Sequence, residues 1–339
     1  MPTILAGDIG GTKSNLGLFE VQGARLVSVV ERSYPSQRYA TLEMLVKEFL
    51  RGRSESIDEA TFGIACPIVN GVCNGTNLPW SVSVYDLRQK LHIQRLTLIN
   101  DLEAMALGIA SLPEESFAVV NAGKEEPRGC RAVVAAGTGL GEAGLVWEAG
   151  RYRVLASEGG HADFGPRDDR EMALLRFLLK KFGRVSYERV LSGPGLFNVY
   201  QFLREDRKRS DPPWLAEAMS GKDPSVVITD AALVGRDPLC VEALEMFISL
   251  YGAEAGNMAL KLFTTGGIFI GGGIAPKILH KLKEGSFMKS FAEKGRLSSF
   301  LSSVPVKVIL DTRGPLLGAA SYGISRDNSA RNVSAVAEP

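Results

Sequence analysis

The chain is poor in the residues that build metal and redox centres. Its 339 residues hold four cysteines and three histidines. Cys66, Cys73, Cys130 and Cys240 are scattered and none falls in a C-x-x-C pattern, so neither a zinc ribbon nor a dithiol redox motif is expected. Cys66 and Cys73 are near enough in sequence to pair, but all four read as ordinary reduced or buried thiols. No apolar run reaches the roughly 18–20 residues a membrane span requires. The opening MPTILAGDIGG has no basic segment and its apolar stretch is broken by Asp8, which is not the pattern of a secretory leader. A cytoplasmic protein is expected. An excess of either charge is also missing. The 39 basic and 38 acidic residues leave a net charge of +1, which gives no electrostatic reason to expect nucleic acid or an anionic membrane as a partner.

What is present is the pattern of an α/β protein. A chain this long exceeds the ~250–300 residues over which one core usually grows, so two domains are expected. Thr3–Ile9 is a short apolar run, and Ser14–Phe19 and Arg25–Ser33 alternate, as strands joined by tight turns do. Thr41–Leu50 has helical spacing, Thr61–Ala65 reads as a strand, Tyr85–Leu91 as a helix, Leu96–Ile99 as a buried strand and Leu102–Leu112 as a helix. The pattern then restarts after a break near Gly108–Pro113. Phe117–Val120, Ala132–Ala135 and Leu145–Trp147 read as strands. Glu171–Phe182, Pro194–Leu203 and Cys240–Phe263 read as helices. Ile268–Ile270 and Val306–Leu310 are further strands, and Leu316–Tyr322 is a closing helix. The tail is polar and small, and disorder is expected over 326–339.

Three glycine-rich segments stand out. Gly7-Asp8-Ile9-Gly10-Gly11-Thr12 superficially resembles a P-loop, but Thr12 stands directly before Lys13 where a P-loop has glycine, and a strand pattern follows instead of a helix. A turn between antiparallel strands fits better. Its glycines let backbone N–H groups approach phosphate oxygens, and Asp8 at the strand end could hold Mg²⁺ through water. Gly139-Leu140-Gly141-Glu142-Ala143-Gly144 matches the dinucleotide fingerprint, yet it too is followed by a strand pattern, so that reading is rejected. The run Gly137-Thr138-Gly139 repeats the logic of the first turn, and two such turns could clasp a polyphosphate. The third segment, Gly266–Gly273, brackets a strand with glycines and suits a base or ribose against the backbone.

Polar residues gather at two further places. Asn100-Asp101 closes a strand and opens a helix, a position where either residue could serve simply as an N-cap. Glu158-Gly159-Gly160-His161 sets a carboxylate and an imidazole around two glycines, which suits a polar ligand. Glu188 precedes the turn Leu191–Gly195.

These segments, together with Ala65-Cys66-Pro67, resemble the bacterial-type glucokinase family of the hexokinase and actin-like ATPase superfamily. They run in family order over almost the whole chain, to about Tyr322. The resemblance implies a two-lobed actin-like ATPase (ribonuclease-H-like) α/β fold with central mixed sheets and a cleft for sugar and ATP. It implies a smaller domain over 1–110, completed by about 305–325, and a larger one over 111–304. Asp101 matches the catalytic base. Asn100, Asp101, Glu158, His161 and Glu188 match the sugar-binding residues. Gly7, Asp8, Ile9, Gly10, Gly11 and Thr12, with Gly137, Thr138 and Gly139, match the phosphate loops, and Gly271 and Gly272 the adenosine loop. ATP and Mg²⁺, the latter at Asp8 through water, glucose as substrate, a homodimer and a role at the start of glycolysis are further implications. Lys13-Ser14 departs from the family's usual Asn and small residue. The related repressor–kinase family carries a cysteine-rich zinc motif after its E-x-G-H segment. Ala162–Arg170 has no cysteine, so zinc is not expected, and neither is an N-terminal DNA-binding domain. The alternatives are a kinase for mannose, fructose or an N-acetylhexosamine, or a non-catalytic sugar sensor or actin-like ATPase.

Overall fold

A computed structural model of the chain describes residues 1–23, 25–74 and 78–323. The tail expected to be disordered lies outside them. The chain divides into two compact units. One comprises Met1–Glu114, Tyr152–Ala156 and the segment from Asp311 onward; the other comprises Glu115–Arg151 and Ser157–Leu310.

In the first unit a five-stranded sheet runs in the order Arg25–Pro35, Lys13–Gln22, Thr3–Ile9, Glu59–Ile64, Leu96–Asn100. The first three strands are antiparallel and the last three parallel. Period-two alternation decides what each face buries. Leu5 and Ile9, with Leu16 and Leu18 from the neighbouring strand, join a core with Leu45, Val46 and Phe49 of the helix Leu42–Leu50. The opposite face presents Ile4, Ala6 and Phe19 to Leu316, Ala319 and Ala320, which belong to a helix over 314–323. That last helix meets the helix Asp101–Gly108 through glycines: a Cβ on Gly318 would collide with the Ala104 carbonyl, and one on Gly108 with the Gly314 carbonyl. The helix read over Leu102–Leu112 thus stops at Gly108 and continues as a 3₁₀ turn, Ile109–Ser111. Pro113 ends that turn in its own way: it pushes the preceding residue out of the helical region, and Leu112 is extended at φ −84°, ψ 137°.

The second unit repeats the plan. The hairpin Arg131–Ala136 and Leu140–Glu148 is antiparallel, Gly267–Gly271 runs parallel to the former, Val306–Ile309 runs parallel to that, and Phe117–Asn121 closes the edge antiparallel. The strand expected from Leu145 begins at Leu140, immediately after the glycine turn. The 25-residue helix Pro238–Leu262 fills the core. Asp237 caps it, accepting hydrogen bonds from Leu239 N and Cys240 N, and Pro238 occupies the first turn, where its missing N–H costs nothing. Sequence reading passes over the helices Pro213–Gly221 and Pro224–Leu233. It also read Cys66 and Cys73 as separate thiols, whereas the structure joins them as a disulfide with Cα atoms 6.0 Å apart. The hairpin that pairs Ile68 with Cys73 folds the chain back and brings the two residues together.

Candidate active site

In the first unit the chemistry-bearing residues collect at the carboxyl ends of the parallel strands, where open α/β sheets characteristically bind ligands. Register places Asp8 opposite Gly63, and Gly63 opposite Ile99. Asn100 and Asp101 therefore lie about 10 Å from Asp8, two strand spacings away. Gly63 makes the approach possible, since a Cβ there would stand 2.7 Å from the Ala104 Cβ and 3.8 Å from the Asp101 Cα. Asn100 is the helix N-cap. Its Oδ1 accepts a hydrogen bond from Leu102 N at 2.8 Å, and Asp101 Oδ1 accepts from the same N–H at 3.0 Å. That capping fixes the helix start and holds both side chains at the sheet edge.

The first glycine turn is tight. Gly10 N donates to Lys13 O at 3.1 Å, Ser36 N to Thr12 O at 3.0 Å and Ser36 Oγ to Gly10 O at 2.6 Å. A strand follows it, not a helix. Asn15 Nδ2 donates to Asp8 Oδ2 at 2.9 Å. Burial pushes the Asp8 carboxyl above the ordinary carboxylate range, opposed by the Asn15 hydrogen bond and the charge of Lys13. A buried carboxylate so incompletely compensated fits a cation. Among the described residues no group of three or more metal-ligating side chains occurs, so a cation here would be held by this one carboxylate with phosphate oxygens and water, the usual manner for Mg²⁺.

In the second unit Glu158, His161 and Glu188 converge. His161 Nε2 lies 4.0 Å from Glu158 Oε2, and Nδ1 lies 3.9 Å from Glu188 Oε1. These spacings exceed a hydrogen bond but leave the three polar heads around one point. Backbone stitches hold the two segments together: Tyr187 N donates to Ala162 O at 3.0 Å and Phe164 N to Val185 O at 3.0 Å. Arg184 ties in as well, donating to His161 O at 2.7 Å and pairing with Asp163. The other Glu188 oxygen, Oε2, accepts from Leu140 N at 3.0 Å. One carboxylate thus connects the Glu158–His161–Glu188 cluster to the glycine turn Gly137–Gly139. In that turn Gly137 N donates to Gly139 O at 2.8 Å, and Gly193 N donates to Gly137 O at 2.8 Å.

Beside this turn lies a cavity of about 260 Å³. Gly137, Thr138 and Gly273 line it, so the second and third glycine segments border one space. Gly271 and Gly272 are not among its lining residues. Gly272 instead takes φ +81°, and a Cβ on it would collide with the Ala136 carbonyl, so it lets the loop turn against the neighbouring strand. Asp223, Ser225, Asp230 and Lys277 also line it. Sequence reading missed these four. The Asp223-Pro224 pair, a capping residue followed by proline, is a readable helix start that could have located three of them. It also missed Tyr251, whose fully buried hydroxyl accepts from Ala136 N at 3.1 Å and donates to Val134 O at 3.0 Å, fixing the strand end from which the turn leaves.

The fold, with its paired hairpin-plus-parallel sheets and glycine turns, is that of the sugar kinases of the actin-like ATPase type. A solved glucokinase from an Antarctic psychrotroph superposes with a TM-score of 0.85 at 31% identity, covering 96% of this chain and 99% of that one. The glucokinase family model matches residues 5–325. A glucokinase of Nostoc sp. is 42% identical over 94% of this chain and 98% of its own length, and one of Synechocystis sp. is 41% identical over 93% and 96%. The chain belongs to the glucokinase family.

Proposed function

We propose that this protein transfers the γ-phosphoryl group of ATP to the 6-hydroxyl of D-glucose, with Asp101 as the base. The observation that carries the reading is the clustering of Glu158, His161 and Glu188, with Glu188 hydrogen-bonded to the glycine turn at Leu140 N. Family membership supports the activity, and the residue roles are the proposal.

Asn100, Glu158, His161 and Glu188 would hold the sugar hydroxyls. An analogue lacking one of those hydroxyls leaves a polar partner unmatched, which gives discrimination. Asp101 accepts the proton of the 6-hydroxyl as the O6–phosphorus bond forms. The bond from phosphorus to the β–γ bridging oxygen breaks, and ADP leaves with that electron pair. Phosphoryl transfer of this kind depends mostly on positioning and charge neutralisation. The backbone N–H groups of the segments Gly7–Thr12 and Gly137–Gly139 would face the phosphates. The cavity lined by Asp223, Asp230 and Lys277 would take the nucleoside, with Gly271 and Gly272 shaping the loop beside it. Asp8 would hold Mg²⁺ through water, and the ion when bound neutralises phosphate charge.

The reading takes 1–110, completed by about 305–325, as the smaller domain and 111–304 as the larger. A homodimer, a cytoplasmic location and the first step of glycolysis belong to the same reading. No helix of the described residues is long and apolar enough to cross a membrane. The test is Asp101→Asn, which keeps the shape and removes the base. Turnover is expected to fall by about 10²–10⁴-fold, with the glucose KM changed little. Near-full turnover in the variant would remove Asp101 from the role.

A further inference from the structure

Directly beneath the turn that carries Glu158 and His161 lies a buried acidic pair the reaction does not use. Glu142, on the strand Leu140–Glu148, is 1% exposed, and Glu254, on the helix Pro238–Leu262, is fully buried. Neither oxygen of Glu142 receives a hydrogen bond from any N–H or O–H. What stands within hydrogen-bonding reach of it is the Glu254 carboxylate. Two ionised carboxylates cannot satisfy each other, since both only accept. One proton on Glu142 turns the same contact into a hydrogen bond. Glu254 has the partners an ionised carboxylate needs: Asn257 Nδ2 donates to it at 2.8 Å, and Lys261 Nζ lies 3.3 Å away.

The pair is built into the floor of the sugar-type cluster. A Cβ on Gly159 would collide with Glu142 Oε2, and one on Gly160 with the Leu140 carbonyl, so the turn rests on this strand with nothing between them. A side chain at 159 would have to displace the carboxyl group below it. Tyr187, the residue before Glu188, has its hydroxyl near Glu254 and accepts from Asn257 Nδ2 at 3.0 Å. Glu142 thus touches the Glu158–His161 turn, and Glu254 sits against the segment that holds Glu188.

We propose that Glu142 is a positioning residue, protonated at neutral pH and donating to Glu254, and that its ionisation shifts the Glu158–His161 turn and weakens glucose binding. The inference rests on the functional reading above for its substrate. Burial and the Glu254 charge push the Glu142 carboxyl up to about 8, with Lys261 opposing. The groups facing the pair are Glu254, Lys261 and Tyr251 on the long helix, Tyr187 on the adjacent 3₁₀ turn, and Ser157, which accepts from Gly159 N. Beyond them Lys294 donates to Asn257 Oδ1, and Arg167 and Glu171 act on Lys294. Above about pH 8 a second negative charge appears beside Glu254, and the cheapest relief is movement of the turn resting on it.

The experiment compares the full-length wild type with Glu142→Gln, whose amide donates to Glu254 at every pH. Glucose KM and kcat are measured at saturating Mg·ATP across the range on either side of pH 8. Wild type is expected to show a several-fold rise in glucose KM through pH 8 with kcat changing much less. Glu142→Gln is expected to hold one KM throughout, whatever its value. In parallel, the infrared carboxylic-acid band is read at pH 7; it is expected in wild type and lost in Glu142→Gln. An identical alkaline rise in both proteins, or a flat KM in both, overturns the positioning role. A band unchanged by the substitution overturns the protonated state. Failure of the wild type to phosphorylate glucose at all would instead sink the functional reading, and the infrared comparison would still decide where the proton resides.

Discussion

Glu188 does two jobs with two oxygens. Oε2 is held by Leu140 N, and Oε1 faces His161. Gly139 leaves the space for this, because a Cβ there would stand 2.5 Å from Glu188 Oε2. Gly139→Ala is therefore expected to displace the carboxylate. A displacement of about 1 Å at a substrate-orienting group can cost ~10²-fold in rate, so kcat/KM for glucose should fall by about 10–100-fold. A melting-temperature comparison should show that the variant still folds. Unchanged kcat/KM would mean that Glu188 does not orient the sugar. Glu142 makes a second prediction at this scale. Its folded-state proton is held up to about pH 8, well above the ordinary glutamate range. The folded state therefore binds more protons than the unfolded chain in that window, and stability falls as pH rises through it. Glu142→Gln should gain in urea midpoint over wild type between pH 5 and pH 8, and an equal difference at both pH values would contradict the assignment. Glu158 and His161 share one local motif and draw attention together, whereas Glu188 enters only through the family resemblance, and the structure brings the three side chains together. Glu142 was not legible in the sequence, since what makes it unusual is the helix residue Glu254, 112 positions away in sequence.

At the scale of elements, both glycine turns are followed by strands, as their alternating patterns indicate. That one fact separates them from P-loop and dinucleotide-binding segments, which open helices. The turn Gly137–Gly139 leaves a strand end that Tyr251 fixes from the opposite side. Tyr251→Phe would leave the buried Ala136 N–H without its acceptor. It should cost about 1–3 kcal/mol in urea unfolding and should raise the ATP KM more than the glucose KM. A loss well below that range would show that the hydroxyl contributes little. Element boundaries were read less well than element types. Leu102–Leu112 reads as one helix because its apolar residues persist past Gly108, and the restriction imposed by Pro113 marks only the end at Leu112, not the change to a 3₁₀ turn at Ile109. Pro213–Gly221 and Pro224–Leu233 escaped notice although prolines mark both starts. With them went Asp223, Ser225 and Asp230 of the nucleoside-sized cavity.

For the whole molecule, each unit builds a hairpin and then parallel strands, and each places a glycine turn in its hairpin. The repetition was visible in the sequence as a pattern that restarts after Pro113. The family followed from motifs in order over most of the chain, and the match over residues 5–325 agrees with it. Which residues share a wall was not visible, because register and helix placement decide it. The disulfide between Cys66 and Cys73 is of the same kind, since proximity in sequence allows a pairing that only the folded hairpin brings about. The central claim concerns the whole protein: glucose is the sugar that accepts the phosphoryl group. The most direct test is ADP release in the presence of Mg·ATP, with glucose, mannose, fructose and N-acetylglucosamine supplied one at a time. The account predicts ADP release that depends on glucose and far exceeds that with the other three. Release favouring another of these sugars, or release that no sugar alters, would contradict it.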